Sequence, residues 1–247
     1  MTKAIIYYTA NMANPKITAK TGGLLRDISR QRRIPIVCAS LNQPLQFGDI
    51  NACLFLDRSP LSQFRQILCA LSCTAADIVY FCEDDILYHP SHFDFVPSTD
   101  DAYYYNTNIW KLWIKDGLAT REGLYMPLSG LCGYHSLLFG HYFRRVQKIL
   151  QNQRDTLAVG GVVEREGYSK HMGYEPGGHM RPRGVDEYPM VSWQSEVPII
   201  DVRHDNNLTK GKRRPGDYRD PVWADGWEES DSIPGWGGAT NIISELV

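Results

Sequence analysis

The stretch that decides the reading is Asp77-Ile78-Val79-Tyr80-Phe81-Cys82-Glu83-Asp84-Asp85-Ile86-Leu87-Tyr88. The unbroken apolar and aromatic run 78–82 predicts a strand buried on both faces, as in a parallel sheet. Three acids follow it at once, and a second apolar run pins them from the other side. Adjacent carboxylates repel one another unless a cation lies among them, and hard oxygen ligands suit Mg²⁺ or Mn²⁺. In an open α/β sheet, ligands bind beyond the carboxyl ends of the strands, which is where these acids fall.

Upstream, strand and helix signals alternate. Residues 3–9 read as a buried first strand, 34–39 as a second and 52–56 as a third. A helix is expected over 18–33, carrying Leu24, Leu25 and Ile28, with Gly22-Gly23 weakening its start. Ser59-Pro60 opens another, with Ser as N-cap and Pro at the first helical position. Leu61, Phe64, Leu68 and Leu71 line one face of it. Alternation of this kind predicts an α/β fold with a mostly parallel central sheet flanked by helices. Downstream the signals weaken. Strands are expected at 101–106, 109–114 and 197–202, a loop with a short strand over 125–134, and a helix over 135–152. Residues 164–190 read as irregular, and the chain from His204 onward as a tail wrapping the surface. The expected organisation is one domain over 1–247, with a nucleotide-binding half at 1–100 and an acceptor half at 101–247.

Composition sets the outer limits. The chain has 247 residues, 43% of them hydrophobic, and a net charge of -2. It can bury a real core, and it is neither a uniformly basic nucleic-acid coat nor a polyacidic disordered chain. The charge is segregated: residues 203–219 carry six Lys/Arg against two Asp, and 220–231 carry five acids and no base. The six cysteines form no C-x-x-C pair and sit mostly in apolar runs. Free buried thiols and a cytoplasmic location follow as expectations. No run approaches the roughly 18–20 apolar residues of a membrane span.

Residues 76–90, from Ala76-Asp77 through Glu83-Asp84-Asp85 to His89-Pro90, resemble the D-x-D region of GT-A glycosyltransferases of the family 2 style. The order of elements over residues 3–135 agrees with that family. The resemblance implies a GT-A-like, Rossmann-like fold and a sugar transferase that takes a nucleotide-sugar donor, with a UDP-sugar expected, and needs Mn²⁺ or Mg²⁺. It implies Asp85 as the direct metal ligand, with Glu83 or Asp84 facing the ribose or a metal-bound water. His204, after the late strand, is expected to complete the metal shell. Thr9 and Asn11 after the first strand, and Asp57 after the third, fall where the family binds base and ribose. Arg65 lies on the helix near the nucleotide. Arg203 and Lys212 are candidates for neutralising the leaving diphosphate, since guanidinium forks match phosphate oxygens. A base for the acceptor hydroxyl is sought in Glu175, inside a Gly-bounded loop, and in Asp186. Trp223, Trp227 and Trp236 either stack on a sugar or anchor the tail.

The acceptor stays open among a glycan, a protein, a small molecule and a hydroxymethylated DNA base, so nucleic acid is one admissible partner. Two further classes compete. A nucleotidyltransferase shares the acidic metal site but opens with a Gly-rich phosphate loop, and Thr9–Lys20 has no glycine. A binding module without catalysis predicts nucleotide binding without turnover.

Overall fold

The apolar run before the acids is the fourth strand of a seven-stranded sheet. The computed structural model describes residues 1–123, 125–161, 175–177, 188–207, 211–218 and 224–247. Its elements begin with β1 (Lys3–Thr9), α1 (Pro15–Arg32), β2 (Ile36–Leu41), β3 (Ile50–Leu54), α2 (Pro60–Ser72) and β4 (Ile78–Cys82). β5 (Ile86–Leu87), β6 (Tyr103–Asn106), β7 (Ile109–Trp113), β8 (Leu118–Arg121), β9 (Leu131–Tyr134) and α3 (His135–Ala158) follow. The chain closes with β10 (Met190–Trp193), β11 (Ile199–Arg203), β12 (Glu228–Ser230), β13 (Ser232–Ile233), β14 (Gly237–Gly238) and α4 (Ala239–Ser244).

The large sheet runs β10-β6-β9-β4-β1-β2-β3. β3, β2, β1 and β4 are mutually parallel, β9 runs against β4 and β6, and β10 pairs parallel to β6. The mostly parallel sheet flanked by helices is therefore present. Alternation along β1 divides its side chains between two cores. Ala4, Ile6 and Tyr8 pack under α2 and α3 with Phe64, Ile67, Leu71, Tyr142 and Ile149. Ile5 and Tyr7 pack with Leu25 and Ile28 of α1.

A second sheet, β12-β8-β7-β11-β5, was not expected as a unit. β11 is parallel to β7 and antiparallel to β5. The tail is also more than a wrapping. Ile233, Ala239, Ile242, Ile243 and Leu246 are buried in a third core with Trp110, Leu112, Ile200 and Val202. α1 begins three residues before its expected start because the Asn14 side chain caps it, accepting from the Lys16 N–H, with Pro15 at the first helical position. Gly22 fits mid-helix because Phe47 lies over it, 3.1 Å from where a Cβ would stand. α3 outruns its expected end by six residues, reaching Ala158. The cysteines are free, with Cys38, Cys82 and Cys132 buried and the other three half-buried. Among the described residues no helix is long and apolar enough to cross a membrane.

Candidate functional site

The sheet order fixes where a ligand site falls. From β1 the chain moves outward through β2 and β3, then returns through α2 to place β4 on the other side of β1. The strand order therefore reverses between β1 and β4, and a crevice opens beyond their carboxyl ends. Thr9 ends β1 and Glu83-Asp84-Asp85 follow β4, so both arrive at that crevice. A cavity of about 550 Å³ lies there. Its walls include Thr9, Arg58, Gln66, the three acids, Tyr125, Glu175, Arg203, His204 and Asn207.

Each acid has its own partner. The Tyr8 hydroxyl donates to Glu83 Oε1 at 2.6 Å, and the Thr9 hydroxyl donates to Asp84 Oδ2 at 2.5 Å. Thr9 Oγ1 also accepts the Asn11 N–H at 2.8 Å. Asp85 Oδ2 accepts from Asn207 Nδ2 at 2.8 Å and stands 3.6 Å from His204 Nε2. Burial, and next the charge of Asp85, push Glu83 up to about 8, with the Tyr8 hydrogen bond pulling the other way. The same two causes push Asp84 up to about 6 against the Thr9 hydrogen bond. Burial and mutual repulsion thus hold Glu83 and Asp84 toward their protonated forms, and a positively charged ligand would favour the ionised ones.

The counter-charge comes from the second sheet. β11 ends in Asp201-Val202-Arg203, and Arg203 Nη1 donates to both Asp201 oxygens, at 3.2 and 3.0 Å. Its guanidinium also lies 5.8 Å from the centre of the Trp113 ring. Burial raises the pKa of Asp201 against the pull of Arg203. Behind the wall, Lys111 forms a buried ion pair with Glu122 and sits 4.2 Å over the ring of Tyr125.

The expected site residues divide three ways. Thr9, Glu83, Asp84, Asp85, Glu175, Arg203 and His204 all line the cavity. Asn11, Asp57, Arg65 and Lys212 do not. Asn11, in a left-handed conformation at φ 57°, donates from Nδ2 to the Leu41 carbonyl and so ties the β1 and β2 ends together. The Asp57 carbonyl accepts from the Ser62 hydroxyl at the start of α2. Arg65 lies one residue off the cavity-facing row of α2, and its neighbour Gln66 takes the place instead. Lys212 is exposed in the loop before residues 215–217. Asp186 lies outside the described residues, as does Trp223. Trp236 anchors the tail, donating from Nε1 to the Pro198 carbonyl at 2.8 Å. Among the described residues, none beyond Asn207 lines the cavity, so closure of the tail over the site finds no support there.

Gln66, Lys111, Tyr125 and Asn207 escaped the sequence reading. Lys111 did carry a signal, as the lone charge in an otherwise apolar strand, whereas Gln66 sits in a helix that also carries Ser62, Gln63 and Arg65. Tyr125 sits in a largely apolar loop and Asn207 in a polar one, and neither carried any signal.

Neither the protein-family models nor the curated proteins yield a match to this chain. Among solved structures, it is similar to a crystal structure described as a glycosyltransferase involved in the glycosylation of the major capsid of PBCV-1. That likeness has 10% sequence identity and a TM-score of 0.42, over 80% of this chain and 92% of the other. At that score the likeness says nothing about chemistry.

Proposed function

We propose that the protein is a glycosyltransferase that takes a sugar from a nucleotide diphosphate donor with the help of Mn²⁺ or Mg²⁺. One observation carries this reading: an acid triplet and an arginine face a single cavity of about 550 Å³ at the switch point of a parallel sheet. Mutually repelling acids call for a cation, and Arg58 and Arg203 on the same walls, the latter already paired with Asp201, can meet an anion bound with it. A metal diphosphate is both.

The carboxylates suit a hard divalent ion. Asp85 has an oxygen, Oδ1, that takes no hydrogen bond among the described residues, and Asp84 lies beside it. Among the described residues, no group of three or more His, Cys, Asp or Glu side chains is placed to hold a metal ion by itself. Asp85 and Asp84 therefore offer part of a shell, as suits a metal shared with phosphate oxygens. When bound, the ion supplies positive charge to the departing diphosphate.

The rest falls to the chain itself. Arg203 and Arg58, both on the cavity walls, give fixed positive charge to the phosphates. Thr9 and Tyr8 hold the acids in place before the donor arrives. Glu175, on the wall, is the candidate to take the proton from the acceptor hydroxyl.

The test is release of nucleoside diphosphate from a panel of nucleotide sugars, with and without Mn²⁺, in wild type and in Asp85→Ala. Release that depends on Mn²⁺ and falls at least 100-fold in the variant is expected. Nucleotide binding with no release from any donor, with or without added acceptors, would leave a binding module instead.

A further inference from the structure

Asp85 is gripped from far along the chain by the turn at 204–207. Asn207 Nδ2 donates to Asp85 Oδ2 at 2.8 Å and to the Val202 carbonyl at 3.3 Å. Its Oδ1 accepts the His204 N–H at 2.6 Å, so the whole amide is engaged and its orientation is fixed. The Val202 N–H donates to the Asp85 carbonyl at 2.9 Å, which seats the acid's backbone against the same strand.

His204 belongs to this grip in a way that its residue type conceals. Its Nδ1 accepts the Asn206 N–H at 3.2 Å. A ring nitrogen that accepts carries no proton, so the proton lies on Nε2. Nε2 is buried, has no hydrogen-bond partner among the described residues, and faces Asp85 Oδ2 at 3.6 Å. A metal binds through the lone pair of a bare nitrogen. A histidine that ligates through Nε2 must carry its proton on Nδ1. Here that proton would meet the Asn206 N–H head-on, two donors with no acceptor between them.

The geometry points to His204 and Asn207 as positioning residues for Asp85, with His204 presenting an Nε2–H to the acid and not a lone pair to a metal. Asn207 Nδ2 donates to Oδ2 and the His204 Nε2–H faces the same oxygen at 3.6 Å, which leaves Oδ1 for the divalent ion. This rests on the cation reading above. The position of the ring proton does not.

Three measurements on the full chain test it. Long-range ¹H–¹⁵N spectra of metal-free protein are expected to show His204 protonated at Nε2 and bare at Nδ1; the reverse overturns the assignment whatever metal does. Electron spin-echo spectra of the Mn²⁺-loaded wild type are expected to lack a directly bound imidazole nitrogen. A strong nitrogen coupling that disappears in His204→Ala overturns it too.

Titration with Mn²⁺ alone completes the set, with unfolding midpoints checking that each variant is folded. Asn207→Ala is expected to bind Mn²⁺ about 10- to 100-fold more weakly. His204→Gln, which restores an N–H, is expected to stay within about three-fold of wild type while His204→Ala falls below it. Unchanged affinity in both alanine variants overturns the proposal and leaves the transferase reading intact. A wild type that binds no Mn²⁺, either alone or with a nucleoside diphosphate present, overturns the cation reading, and the ring-proton assignment is then decided by the ¹⁵N spectra alone.

Discussion

Asp84 is ionised at a cost, and the cost is measurable. Its folded-state pKa, about 6, lies above the ordinary carboxylate value because of burial and Asp85. The folded state then holds its proton more tightly than the unfolded state does. The resulting stability is fully present below the unfolded value and is lost as pH rises through about 6. Asp84→Asn keeps an acceptor oxygen for Thr9 and removes the charge. It is expected to stabilise the cation-free protein at pH 7 by about 1–2 kcal/mol while weakening Mn²⁺ binding. Urea unfolding paired with a Mn²⁺ titration reads both, and a less stable variant would contradict the electrostatic account. The acids themselves were legible in the sequence, because apolar runs on both sides pinned them. Asn207 was not. Many polar residues follow β11, and only the pairing of β11 with β5 decides which one meets Asp85.

Among the elements, α2 shows how a helix fixes the floor of a site. Gln66 is 3% exposed and donates from Nε2 to the Thr9 carbonyl at 2.8 Å and the Ala39 carbonyl at 3.0 Å. Thr9 is the last residue of β1 and Ala39 lies two residues before the end of β2, so the amide ties the two strands together near their carboxyl ends. Gln66→Leu removes both bonds at similar volume. It is expected to cost about 2–4 kcal/mol in urea unfolding and to weaken nucleotide binding. An unchanged midpoint would mean that the two carbonyls find other partners.

The same scale separates what the sequence could reveal. β1, β2 and β4 are buried on both faces, so each reads as a solid apolar run. β5, β13 and β14 have two residues each, too few to show any period. Of these only β5 belongs to the second sheet; its β7 and β11 were expected as strands, but their pairing with each other and with β5 was not. α4 was missed because Ile242-Ile243 is a single apolar step in a segment of Gly, Ser and acids.

For the molecule as a whole, acid stability turns on a histidine away from the cavity. His92 is fully buried; its Nδ1 lies 3.0 Å from Asn106 Nδ2, with the rings of Tyr80, Tyr88 and Trp193 around it. Burial pushes its pKa down to about 3. The sign is opposite to that of Asp84, since here the unfolded chain takes the proton first. Stability is therefore lost as pH falls from about 6.5 toward 3, by up to roughly 1.4 kcal/mol per unit. Urea midpoints at pH 7.5, 6 and 5 are expected to decline more steeply in the wild type than in His92→Gln. Parallel declines would place the acid sensitivity elsewhere.

The grip on Asp85 also dictates an order of events during folding. Tyr8 and Glu83 are 75 positions apart along the chain, and Asp85 and Asn207 are 122 apart. Closing spans of that length delays the contacts that depend on them. On the ribosome, β1 to β4 can pair as soon as they emerge, while the turn at 204–207 is still unmade. The nascent chain thus exposes its acid triplet, unclamped, while more than a hundred residues are still being added. The grip on Asp85 forms only once residues 204–207 are made, so a product truncated before them keeps β1 to β4 and lacks that grip.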